Sequence, residues 1–239
     1  MRKSGICRCF LLFGLASLWL AACGGQTVMP TETQQLLSAE QVPASATATP
    51  QPSATPTVTA TPTPFPMAGG VFSGDAQAFL VSADLLAGVY TAADAGFESP
   101  NSRVIELRPD GALYVLTTGR RGGWQLQFDR VSEGETPPYF INVVTIYESA
   151  EGPRLALSRE WHQDVWARID SGELEQLPNS EGLDAEHLVW RDASGTVGLE
   201  IAYRNLYLFF TGPASGGDDY TFFADLARAH LDWIKARQP

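Results

Sequence analysis

Cysteine is scarce in this chain. There are three, at Cys7, Cys9 and Cys23. Nothing beyond residue 23 can form a disulfide, attack as a thiolate or ligate a metal through sulfur, so any fold there is held by its core alone. Histidine is as rare: His162, His187 and His230. No two stand at the H-x-x-x-H or H-E-x-x-H spacing with which one helix supplies a zinc site. Also missing are a Gly-x-Ser-x-Gly nucleophile elbow, a phosphate loop ending Gly-Lys-Ser/Thr, and an Asp-x-Asp-x-Asp-Gly calcium loop.

Positive charge is short as well. Setting aside Arg2, Lys3, Arg8, Glu32 and Glu40 leaves 13 basic and 25 acidic side chains beyond residue 67. A net charge of about −12 there repels phosphate backbones and anionic headgroups, which argues against nucleic-acid binding and against lying flat on a membrane. Long apolar runs are absent too. The longest extends from Cys9 to Ala22, and as a helix its 14 residues rise about 21 Å against a hydrocarbon core of about 30 Å.

That run follows the basic residues Arg2, Lys3 and Arg8 and ends in small residues, the layout of an export signal over residues 1–22. Its end, Leu20-Ala21-Ala22-Cys23, resembles the lipobox of bacterial lipoproteins: an aliphatic residue, two small ones and the cysteine. The resemblance implies that Cys23 carries a diacylglyceryl thioether, becomes the mature N-terminus and attaches the chain to a membrane through acyl chains, with the rest outside the cytoplasm. Two acyl chains suffice for stable anchoring, at about 0.8 kcal/mol per buried CH₂. The next residue is Gly24, not an aspartate of the kind linked to inner-membrane retention, so a cell membrane and an outer membrane both remain open.

Residues 23–67 turn to Thr, Pro, Ala, Ser and Gln, with a degenerate Thr-Pro repeat from Thr47 to Pro64. Proline removes backbone donors and biases the chain toward polyproline II, so a disordered, semi-rigid spacer is expected, reaching about 120 Å at about 3.1 Å per residue. A single globular domain is expected over residues 68–239.

Within it, helical periodicity puts Leu155, Leu157, Trp161, Val165, Trp166 and Ile169 on one half of a helix from about Ala150 to Asp170. A second helix is expected from about Tyr220 to Arg237, capped by Asp218 or Asp219, with Phe222, Phe223, Leu226, Ala227, Trp233 and Ile234 in one stripe. Tyr139–Tyr147 reads as a central strand and Trp124–Phe128 as a half-covered one. His187–Asp192, Val197–Tyr203 and Leu206–Phe210 read as an antiparallel meander. Val89–Thr91 and Val104–Leu107 are candidate strands, and Asp110–Leu116 leans to helix. The order predicts an α+β domain, an antiparallel sheet packed by helices.

Four stretches resemble exported bacterial domains with the Mog1/PsbP-like α/β/α sandwich: Asp84–Tyr90, Gly119–Trp124, Gly182–Glu186 and Tyr203–Leu206. The first lacks the group's proline, and the third and fourth lack a glycine each. The likeness spans about residues 79–236. It implies a fold and no catalytic residues, since the group has no agreed ones.

Chemistry is thin. His230 falls in the apolar stripe of the last helix, where a core imidazole bonded to a neighbouring carbonyl or carboxylate is expected. His187 opens a strand, and His162 sits at the edge of a helical face. Gly119-Arg120-Arg121-Gly122-Gly123 reads as a tight turn with solvated arginines, in which Arg120 and Arg121 could clamp a carboxylate or phosphate. Arg120, Arg121 and His187 are therefore the ligand-contact candidates. Carboxylates pair at Glu133/Glu135, Glu173/Glu175, Asp184/Glu186 and Asp218/Asp219, which in an acidic chain reads as solvated loop. Trp124, Trp161, Trp166, Trp190 and Trp233 read as core. No catalytic set, cofactor or metal site is expected. The leading expectation is a non-enzymatic surface lipoprotein whose domain binds a protein or small-molecule partner. The alternatives are an exported hydrolase acting on envelope polymers through one carboxylate pair, and an assembly subunit of a membrane complex.

Overall fold

The computed structural model describes residues 64–68, 70–214 and 220–238. The export signal, Cys23, most of the Thr-Pro spacer and the Asp218/Asp219 pair lie outside the described residues. The strands are β1 (Met67–Ala68), β2 (Val71–Phe72), β3 (Tyr90–Ala92), β4 (Phe97–Ser99), β5 (Arg120–Arg130), β6 (Tyr139–Tyr147), β7 (Leu174–Gln176), β8 (Glu186–Asp192), β9 (Thr196–Tyr203) and β10 (Leu206–Pro213). The helices are α1 (Asn101–Leu107), α2 (Gly111–Thr118), α3 (Glu151–Leu157), α4 (Gln163–Asp170) and α5 (Thr221–Lys235), with 3₁₀ turns at Ala76–Phe79 and Ala83–Leu86. Among the described residues no helix is long and apolar enough to cross a membrane.

β1 and β2 form a small ribbon. The other strands form one antiparallel sheet in the order β3-β5-β6-β10-β9-β8-β7, with β4 on the same edge of β5 as β3. The fold is α+β, as the sequence predicts. The meander is β8-β9-β10, and β10 returns to lie beside β6. Alternation along β10 explains its central place. Leu206, Leu208 and Phe210 point to one face with Phe140, Val144, Ile146, Leu199 and Ile201, against Phe223, Ala227, Leu231 and Ile234 of α5. Tyr207 and Phe209 point to the other face, which α2, α3 and α4 cover through two smaller clusters around Tyr147 and Trp161 and around Leu188 and Trp190. Helices thus lie on both faces of the sheet.

Three sequence expectations are corrected. The helix expected over Ala150–Asp170 is two, because Ser158 turns extended (φ −66°, ψ 155°) after α3. The break is stabilised locally: Ser158 Oγ donates to the Leu155 carbonyl at 2.7 Å, and the Trp166 indole donates to the Leu157 carbonyl at 3.0 Å, satisfying groups a helix end leaves open. Val104–Leu107 is not a strand but the end of α1, which turns Val104 inward onto the Tyr114/Trp161 cluster. Gly119–Gly123 is no tight turn: Gly119, at φ +65°, ends α2, and the rest opens β5.

The chain from Val71 to Val81 crosses the α5-side face without joining the sheet, so its backbone needs other partners. Two fully buried asparagines supply them. Asn205 Oδ1 accepts from Phe72 N at 2.8 Å, while its Nδ2 donates to the carbonyls of Phe72 (2.9 Å) and Tyr147 (2.8 Å). Asn142 Oδ1 accepts from Val81 N at 3.0 Å, and Nδ2 donates to Phe209 O at 3.3 Å. Each unsatisfied buried group costs about 1–3 kcal/mol. Asn205→Ala is therefore expected to lower stability by about 3 kcal/mol or more, read as a lower urea midpoint, whereas Ser102→Ala at an exposed position of α1 changes it by about 0.5 kcal/mol or less. Equal midpoints for the two variants would contradict this account of the crossing segment.

Candidate functional site

The three histidines separate cleanly. His187 closes a loop: its Nδ1 stands 2.8 Å from the Ala185 carbonyl and its Nε2 accepts from Ser180 N–H at 3.0 Å, so both ring nitrogens are engaged with backbone. His230 is fully buried on α5 between the rings of Phe210 and Trp233. It is a core imidazole, but neither nitrogen has an aligned hydrogen-bond partner. Burial drives its pKa down to about 4, with the Phe79 backbone opposing, so the ring is neutral at pH 7.

His162 leads to a group the sequence reading passed over. Its Nε2 lies 2.7 Å from Oε2 of Glu200, off the line of a well-directed hydrogen bond. Glu200 is 1% exposed in the middle of β9. Its carboxylate accepts from Trp190 Nε1 at 2.7 Å and from the Tyr207 hydroxyl at 2.9 Å. The strand sequence fits this arrangement. Gly198 faces Trp190 in the register, and a Cβ there would come within 2.2 Å of the indole. The missing side chain lets the ring lie across β9 and aim its N–H at the carboxylate. Alongside, the hydroxyls of Tyr147 and Tyr114 are 3.0 Å apart. Burial holds the Tyr207 phenol well above its ordinary pKa, aided by the Glu200 charge; burial does the same for Tyr147, aided by Tyr114. A lone acid within the apolar run Val197–Tyr203 was the available signal.

Among the described residues the carboxylate pairs are engaged separately or exposed. Glu173 pairs with Arg168, Glu175 with Arg191 and Glu186 with Arg154, while Glu133 and Glu135 are exposed. Among the described residues no group of three or more His, Cys, Asp or Glu could hold a metal ion. Trp161 and Trp190 are core residues; Trp124, Trp166 and Trp233 are half-buried against it.

The two candidate arginines part company at a bulge between Arg120 and Gly122. Arg120 is not solvated: it is 7% exposed and donates to Asn101 Oδ1 (2.7 Å), Ser99 O (2.8 Å) and Ser99 Oγ (3.1 Å). Burial without a carboxylate partner lowers its pKa, although guanidinium remains charged at any working pH. Arg121 is exposed and lines an open groove of about 190 Å³ with Asp75, Glu98, Gly122 and Gly123. Asp75 and Glu98 come from two other segments and were not foreseen.

A second surface feature is apolar. Gly111 seats α2 on α1 so closely that a Cβ would meet the Val104 carbonyl at 2.4 Å. Tyr114 and Val115 then turn inward while Leu113 and Leu116 stay 57% and 79% exposed, with Ile105 and Leu107 of α1 also in solvent.

No family model matches the chain, and no curated protein matches it. Among solved structures it is similar to the extracellular domain of PknH from Mycobacterium tuberculosis, at 11% identity and a TM-score of 0.40, over 66% of this chain and 93% of that one. A likeness that loose carries no argument about function.

Three outcomes follow from the buried groups. In unfolded chain His230 protonates near pH 6.5 but in the fold only near 4, so the unfolded state takes up the proton first. Stability is complete above pH 6.5 and falls by about 3 kcal/mol as pH drops toward 4. His230→Leu should remove that slope in urea titrations at pH 7, 5.5 and 4. Tyr147 and Tyr207 act oppositely: their raised folded pKa values make stability fall as pH climbs past about 10. Glu200→Ala, which strips the indole and phenol of their acceptor, should cost about 2–5 kcal/mol at pH 7.

Proposed function

We propose that this chain is a membrane-anchored lipoprotein, held by acyl chains on Cys23, whose extracytoplasmic domain binds a partner protein and catalyses no reaction. The N-terminal sequence supports the anchor: basic start, short apolar run, Leu20-Ala21-Ala22-Cys23, then a Thr-Pro spacer long enough to hold a domain clear of the bilayer. The α/β/α layering is compatible with the Mog1/PsbP-like exported domains that the four sequence stretches resemble.

The observation that carries the binding reading is the outward face of the α1–α2 hairpin. A helix pair that packs one side on the core normally shows polar residues on the other. Here Leu113 and Leu116 share one exposed face of α2, and Ile105 and Leu107 of α1 are exposed too; exposed apolar side chains of this size mark interaction surfaces. With the domain about −12 in charge, the fitting partner presents an apolar patch with a basic rim.

Two measurements test the reading. Cys23→Ser should abolish fatty-acid labelling and move the protein from the membrane to the soluble or unprocessed fraction; unchanged labelling would overturn the anchor. Leu113→Asp with Leu116→Asp should leave the urea midpoint within about 0.5 kcal/mol, since both are surface sites. A photo-crosslinker at Leu107 in cells should then lose the adduct seen in the otherwise unchanged protein. An adduct of equal yield in both would remove the hairpin as the interface.

A further inference from the structure

The groove beside β5 has chemistry that neither the anchor nor the hairpin uses. Its floor is Gly122 and the apolar Ile146, and its rim carries three charges from three segments: Arg121, Glu98 and Asp75. The Asp75 carboxylate spends one oxygen capping Gln77 N at 2.9 Å. Glu98 and Arg121 share the groove, yet neither enters an ion pair or a side-chain hydrogen bond within the described residues. The positive end is reinforced from behind. Arg120 NH2 lies 2.8 Å from where a Cβ of Gly123 would stand, and the buried Arg120 guanidinium has only neutral acceptors.

Each single-charge ligand class fits poorly. An anion drawn to Arg121 meets two carboxylates in the same small space. A metal cation finds two carboxylates from separate segments, one already committed to a backbone N–H, with a guanidinium beside them. At about 190 Å³ the groove is roughly the volume of half a dozen waters and below the usual range for drug-sized ligands. A ligand carrying both signs within a few bonds satisfies all three groups at once. The geometry points to a binding site for a free α-amino acid, its carboxylate on Arg121 and its ammonium between Glu98 and Asp75.

Gly122 makes the site testable. Its backbone is not left-handed, and a Cβ built there meets nothing within 4 Å. A side chain at Gly122 therefore enters the groove with no clash against the fold. Gly123, by contrast, has no room, with Arg120 and Thr145 within 3.0 Å. The inference is independent of the anchor and of the hairpin interface.

The test is equilibrium dialysis of the full-length protein in detergent against each of the twenty L-amino acids, with acetate and methylamine as single-charge probes. At least one amino acid should bind with a Kd at least about tenfold below those of acetate and methylamine. Gly122→Val should abolish that binding while keeping the urea midpoint. Arg121→Gln and Glu98→Gln should each weaken it by about tenfold or more. Failure of every amino acid to exceed the two single-charge probes overturns the proposal. So does binding that survives unchanged in a folded Gly122→Val protein.

Discussion

Backbone hydrogen bonds inside a core must be made by something, and beyond the short β1–β2 ribbon the segment before β3 joins no strand of the sheet to make them. That constraint organises the α5-side half of the molecule. Phe65, Phe72 and Phe79 deliver a tilted, edge-packed aromatic group to the face that α5 also covers, with Phe65 N bonded to the Arg237 carbonyl at 2.7 Å. Burying those rings takes their peptide groups out of water. The amides of Asn142 and Asn205, rooted in β6 and at the β9–β10 turn, stand in for a neighbouring strand. The same turn explains a departure from the hairpin that Tyr203–Leu206 resembles. Arg204 occupies the left-handed position (φ +51°) where a glycine is easiest, and its guanidinium bonds to Gly70 O and Gln238 Oε1. Those contacts tie both chain ends of the described domain to the turn and offset the backbone cost.

The opposite face is held by charge as well as packing. Glu200 is buried without a lysine or arginine beside it, and solvated by an indole N–H and a phenol. Such a carboxylate has value for register: it accepts productively only when Trp190, Tyr207 and the α3–α4 connection all sit in place. This gives a physical reason for the helix break at Ser158. A continuous helix would carry Trp161 and His162 past the sheet on a straight axis, whereas the interrupted one brings His162 to Glu200 and Trp161 onto Tyr114.

Legibility in the sequence tracked periodicity. β6 is apolar on both faces, the β8–β10 meander is a set of apolar runs joined by tight turns, and α5 carries a long helical stripe, and all stand where those patterns put them. The α3–α4 break was invisible because both halves face the same sheet and keep the apolar stripe running. Val104–Leu107 reads as strand because Val104-Ile105 is β-branched and the helix that contains it, α1, spans only seven residues; what decides it is Val104 packing under α2. β7 is three residues paired on one edge, too short to alternate. Arg121 was marked as a ligand candidate from local sequence alone. Its neighbours Asp75 and Glu98 carry no such local signal, since their approach depends on where the 3₁₀ segment crosses the sheet face and on how β4 pairs with β5. Arg120, marked with it, went inside, because a one-residue bulge sends adjacent side chains to different environments.

Among the described residues two charges are deeply buried, Arg120 and Glu200; they lie on the same side of the sheet and are not paired with each other. Each is satisfied by neutral dipoles: backbone, amide and hydroxyl oxygens for the guanidinium, indole and phenol hydrogens for the carboxylate. Between them stand Tyr147 and Tyr114, which interact with Arg120, and Tyr207, which interacts with Glu200. Ionising Tyr207 would add a second negative charge beside Glu200, and burial opposes ionising Tyr147 as well, so both of these phenols keep their protons. The line is therefore polarised but proton-locked at neutral pH, positive at the β5 end and negative at β9. Neutral partners leave a buried charge's field less cancelled than an ion pair does. The positive end of that line lies behind Gly123, where the glycine-floored groove opens in an otherwise strongly acidic domain.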